Sequence, residues 1–155
     1  MPSISAESLQ HLLESGHAFA HPKHILEDIG ANHAVFVPPN AVHSIASHTA
    51  HMAWWLRQAL HLIETNATTW ERIEGEEFPQ TIPEADWDSI RSDFFTSLER
   101  LKAICEDAAL LERPYVSGKN TVGYVVLDFA LHNAYHMGQI VLLKRLQGIW
   151  QDFKG

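Results

Sequence analysis

Apolar positions recur at helical spacing along most of the chain. Leu9, Leu12 and Leu13 follow Ser5 and Ser8 and predict a short first helix that opens on a serine cap and ends near Ser15, before Gly16. Residues 16–40 hold Pro22, Gly30, Pro38 and Pro39 and read as a long connection, in which Ile25, Leu26 and Ile29 form one or two turns between breakers. From Ser44, a good N-cap, the series Ile45, His48, Met52, Trp55, Ala59, Leu62 keeps one helical face until Asn66. Residues 67–84 bring Gly75, Pro79, Pro83 and the acidic group Glu74, Glu76 and Glu77, which predicts a loop lying over one edge of the domain, pinned by Trp70 and Phe78.

A third helix is expected from about Asp86 through Trp87, Ile90, Phe94, Leu98, Leu101 and Cys105 to about Leu111, stopped by Arg113 and Pro114. Residues 117–120 form a turn, after which Thr121 caps a fourth helix that runs to Gly148, with Lys144 and Arg145 near its negative end. No segment alternates apolar and polar residues in the manner of a strand, and the β-rich run 122–126 continues directly into a helical stripe. The fold class expected is all-α: a four-helix bundle with long crossover connections, in one domain spanning residues 1–155.

Composition narrows the functional classes. With 155 residues, 46% of them hydrophobic, the chain can bury a core without covalent staples. Its one cysteine, Cys105, cannot form an internal disulfide, and residues 1–10 lack the charged start and apolar run of a leader, so a cytoplasmic location is expected. No apolar run approaches the roughly 20 residues that cross a bilayer, and a soluble protein without a membrane partner is expected. The formal charge of −8, with Lys and Arg scattered, argues against nucleic-acid binding.

The candidate chemistry lies in residues 127–143, LDFALHNAYHMGQIVLL. The apolar stripe Val125, Phe129, His132, His136, Ile140, Leu143 places two histidines where core residues belong. Four residues apart on a helix, they differ by about 40° around the axis and can reach one ion. Such a pair becomes a site only with a third ligand, and the second long helix offers His48 and His51. Periodicity alone slightly favours His48, nearer the centre of its stripe. His61 falls to the surface, and His17, His21, His24 and His33 fall to solvent or local hydrogen bonds. Asp128, one turn before His132, and Gln139, three residues after His136, are candidates to orient those two rings. Cys105 belongs to another helix's core stripe and has no basic neighbour in sequence to activate it.

Two segments, HSIASHTAHMAWW and HNAYHMGQIVLLKR, together resemble the DinB superfamily of metal-dependent four-helix bundles. The interval from Ser44 to His51, and the set His132, Tyr135, His136, Gly138 and Gln139, match that family's two motifs. The resemblance implies His51, His132 and His136 as ligands of a divalent metal, nickel or zinc, in a bundle that dimerises. His48 stands where a bulky apolar residue is common in the family, and remains an alternative or additional ligand. The implied function is activation of water or of a low-molecular-weight thiol for hydrolysis or S-transfer on a small molecule. The competing expectation is a non-enzymatic metal- or ligand-binding stress-response scaffold. A third is a polar seam of histidines that holds no ion.

Overall fold

The computed structural model describes residues 4–14, 18–116 and 118–152. The expected end of the first helix at Ser15 and Gly16, the solvent assignment of His17, and Ser117 of the expected turn lie outside them. The described residues form seven helices: α1 (Ala6–Glu14), α2 (Pro22–Leu26), α3 (Ala31–Val35), α4 (Ile45–Glu64), α5 (Trp87–Ile104), α6 (Ala108–Glu112) and α7 (Val122–Leu146). The architecture is all-α, as the periodicity predicts. Four long elements make the bundle: α4 packs on α5 and α7, and α1 closes the ring against α7 and α5.

Local chemistry sets the helix starts. The Ser44 hydroxyl accepts from Ser47 N at 3.0 Å, and the Thr121 hydroxyl accepts from Tyr124 N at 3.2 Å, each satisfying one of the amides that a helix N-terminus leaves free. Gly148, at φ +70°, ends α7 by letting its own N–H and that of Ile149 turn back to the Arg145 and Lys144 carbonyls. α4 is buried nearly all round, and Ile45, Met52, Leu56, Ala59 and Ile63 join Phe94, Leu98 and Leu101 of α5 and Val126, Met137 and Ile140 of α7 in one core.

Three expectations need correction. The connection before α4 contains two short helices, α2 and α3, where one was expected. Carbonyls in the last turn of α2 and in the chain after it are capped from outside. Lys144 Nζ donates to Ile25 O, Arg91 to Glu27 O and Trp87 Nε1 to Ile29 O, at 2.8, 2.9 and 2.8 Å. The third predicted helix is broken, because Asp107 takes an extended backbone and its carboxylate accepts from Leu110 N, starting α6 afresh. Residues 114–115 and 120–121 pair as a minimal antiparallel hairpin, Pro114 opposite Thr121, where only a turn was expected.

Residues 67–83 form no helix or strand, as expected, and they lie along α4. Four α4 side chains at helical spacing hold them. His51 Nδ1 donates to Glu77 O, Trp54 Nε1 to Glu74 O, Trp55 Nε1 to the Glu77 carboxylate and Gln58 Nε2 to Glu71 O. Gln58 Oε1 also accepts from Ile73 N. Phe78 pins this segment as predicted, its ring stacked on both His51 and His43 at centroid distances of 4.1 and 3.9 Å. Trp70 pins it less deeply, with its ring 53% exposed and tilted against Trp55. Among the described residues, no helix is long and apolar enough to cross a membrane.

Candidate metal centre

α4 and α7 are neighbours in the bundle, and each presents two histidines to the seam between them. His48, His51 and His136 are buried and His132 is half-buried. The rings of His51, His132 and His136 lie 4.6 to 5.2 Å apart, centroid to centroid. One nitrogen from each lies within 4.8 Å of the others, and among the described residues this is the group of three that is able to share an ion. His51 Nε2 and His132 Nε2 are 3.3 Å apart. Two nitrogens bound tetrahedrally at 2.0–2.1 Å would stand at about that separation, so the donor set fits a small divalent cation.

Hydrogen bonds define which nitrogen is free. A carbonyl only accepts, so His51 Nδ1 carries the proton it gives to Glu77 O at 2.9 Å, and its Nε2 lone pair faces His132. His136 Nδ1 lies 3.0 Å from His48 Nδ1, which leaves Nε2 for an ion. With His136 donating through Nδ1, His48 is the acceptor that fixes its ring, the part a carboxylate or carbonyl usually plays beside a metal-bound histidine.

The surroundings keep the rings neutral. Burial above all, then the crowd of His132, His51, His48 and His43, lowers His136 to about 3. Burial, then His43 and His51, lowers His48 to about 4. His51 is also held below its usual value by burial, partly offset by the Glu77 carbonyl, and His132 by burial and by His51. An imidazole must be neutral to offer a lone pair to a metal, so electrostatics and geometry agree.

The sequence-derived candidates divide accordingly. The structure gathers His51, His132 and His136, and sets His48 behind His136. The hydrogen bonds expected of Asp128 and Gln139 are not formed. His132 Nδ1 is buried without a hydrogen bond, and His136 Nδ1 is met by His48. Asp128 instead shares a cavity wall with His132, and Gln139 shares one with His136. His61 meets Glu71 across 3.7 Å at the surface, His21 caps α2, and His33 is hydrogen-bonded to Gln147, all away from the cluster. Cys105 is fully buried and its thiol is pushed up to about 11, which makes it inert.

Sequence reasoning missed His43 and the part played by residues 77–78. His43 stacks on Phe78 and meets His48 edge-on at 5.7 Å. It precedes the Ser44 cap and so belongs to no helical stripe. The Glu77 carbonyl that orients His51 carries no side-chain signal at all.

Two cavities flank the cluster. One, of about 310 Å³, reaches His132 between α4, α7, Trp70 and the hairpin, and the other, of about 650 Å³, reaches His48 and His136 beside Phe78 and Tyr135. The model of one protein family, the DinB superfamily, matches residues 23–140, a span that includes all five clustered histidines. No curated protein and no solved structure matches the chain.

Proposed function

This chain belongs to the DinB superfamily, and from that premise we propose that it is a metalloenzyme in which His51, His132 and His136 hold one divalent ion, zinc or nickel, and act on a small molecule. The observation that carries the reading is the convergence of three neutral imidazoles from α4 and α7, two of them buried and one half-buried. Three protein ligands leave an ion an open position, the mark of a catalytic rather than a structural site. When bound, such an ion supplies Lewis acidity for hydrolysis, or holds a thiol as thiolate for S-transfer.

The chain's own residues do the rest. Glu77 O fixes the tautomer of His51, and His48, by holding His136 at Nδ1, orients that ring, so that each presents its Nε2 without reorganising. Phe78, stacked on His51, shields the ring face from water. Cys105 is too deep and too weakly acidic to serve as the thiol, so S-transfer requires a free low-molecular-weight thiol. A cytoplasmic setting suits that cosubstrate, and α7 carries an exposed apolar stripe suited to a homodimer. The runner-up is a scaffold in which the ion only ties α4 to α7. It is favoured by the fact that the ligands come from two helices whose seam the ion would bridge.

Elemental analysis of untagged protein, combined with ester, amide and thiol-transfer panels, tests both readings. We expect about one metal per chain, lost in His51→Ala, His132→Ala and His136→Ala, with turnover lost alongside. In His48→Ala, one ion still binds, but 10- to 100-fold more weakly, as when a ring-orienting partner is removed. Loss of the ion in His48→Ala with retention in His51→Ala would reverse the ligand assignment. Metal-dependent melting without turnover in any panel would favour the scaffold.

A further inference from the structure

Resting on the reading that the histidine cluster is the reaction centre, we propose that the cavity beside His132 selects an organic cation, an ammonium group on a small apolar or aromatic body.

Five aromatic side chains, Trp55, Trp70, Tyr115, Tyr124 and Phe129, come from four different segments to line this cavity of about 310 Å³. Phe129 is buried within it, whereas Trp70 and Tyr124 stand at its mouth, 53% and 54% exposed. Trp55 has already given its N–H to the Glu77 carboxylate, and Gln58 has used both ends of its amide on the loop backbone. What these walls offer a ligand is therefore mainly aromatic surface, whose π-faces attract cations.

The charged groups agree. Among the described residues, Asp128 is the one carboxylate lining the cavity, and no Lys or Arg lines it. Among the described residues, the Asp128 carboxylate makes no hydrogen bond or ion pair and acts only through its charge on His132, so a ligand cation need not displace a bonded partner. Asp128 and His132 are one helical turn apart on α7, so a cation held at Asp128 points the rest of the molecule along the wall toward His132 and the cluster. The net charge of −8 favours the approach of cations and opposes that of anions.

A matched set of probes tests this: 4-hydroxyphenyltrimethylammonium, its neutral isostere 4-tert-butylphenol, and the anion 4-hydroxybenzenesulfonate. Each is titrated by calorimetry and tryptophan fluorescence into both metal-free and zinc-loaded protein. The expected result is tenfold or tighter binding of the cation than of either other probe. In Asp128→Asn the cation should weaken about tenfold while the neutral isostere is unchanged, and in Trp70→Ala the cation should weaken again. Equal binding of cation and isostere, tightest binding of the anion, or indifference of the cation to Asp128→Asn would overturn the proposal. Because the cage is tested in metal-free protein as well, absence of zinc uptake would refute the metal reading and leave the cation result standing on its own.

Discussion

At the scale of single residues, the centre depends on imidazoles that are kept uncharged. In the unfolded chain each histidine titrates near 6.5, whereas in the fold His136 and His48 are lowered to about 3 and about 4. Between those values and 6.5 the unfolded chain binds more protons than the native one, so stability rises with pH there. Metal-free protein is thus expected to hold this contribution fully above pH 6.5 and to lose it as the pH falls toward 4. Urea unfolding at pH 7.5 and 5 reads the effect, and the drop should shrink in His48→Leu. Equal midpoints at both pH values in the parent protein would contradict it. The same scale shows where sequence reading reached its limit. His48 and His51 are equally buried, and the helical period alone leaned toward His48. The ring that joins His132 and His136 is the one whose outer nitrogen is claimed by the Glu77 carbonyl, a contact between residues 26 apart.

Among elements, the segment 67–83 is the one whose position matters most for the site. It has no periodicity, so its loop character was legible from Gly75, Pro79 and Pro83, but not its course along α4. That course is fixed by the series His51, Trp54, Trp55 and Gln58 on one helix face, a pattern that reads in sequence as ordinary amphipathicity. Gln58 is fully buried and satisfies one backbone donor and one backbone acceptor of the loop, at 2.9 and 2.7 Å. Gln58→Ala is expected to cost about 1–3 kcal/mol, because both backbone groups lose their partners. It should also speed amide exchange at Ile73 while α4 persists. A change within 0.5 kcal/mol in denaturant unfolding, or unaltered exchange at Ile73, would show that the other three anchors suffice. The break between α5 and α6 belongs here as well. The apolar spacing runs through it, and a single carboxylate, Asp107, outweighs that spacing by capping a new helix.

For the whole molecule, α7 has two working faces. One meets α4, with the histidines, and the other carries Tyr124, Leu131, Tyr135, Leu142 and Leu146, each more than half exposed. These recur at steps of seven and four, the spacing of a helix–helix seam, and Gly138 within the run presents no side chain to hold a second helix away. The protein is expected to sediment as a homodimer through this stripe. Leu131→Glu combined with Leu142→Glu should yield monomers of unchanged helicity by circular dichroism. A monomeric parent protein in analytical ultracentrifugation would refute the assignment.

The order of apolar and polar residues was sufficient by itself to determine an all-α chain, the starts of α1, α4 and α7, and the placing of His132 and His136 on the inward side of the last helix. These follow from interactions within one or two turns, which hydrophobic spacing and capping chemistry report directly. Tertiary structure brings to that pair the α4 histidine that the interval from Ser44 implies rather than the one the helical period favours. It alone decided what orients each ring, where Phe78 lies, and which aromatic side chains surround the cavity beside His132. Those outcomes depend on contacts between segments distant in sequence, on backbone carbonyls, and on the exclusion of water as helices close on one another. No local spacing encodes them.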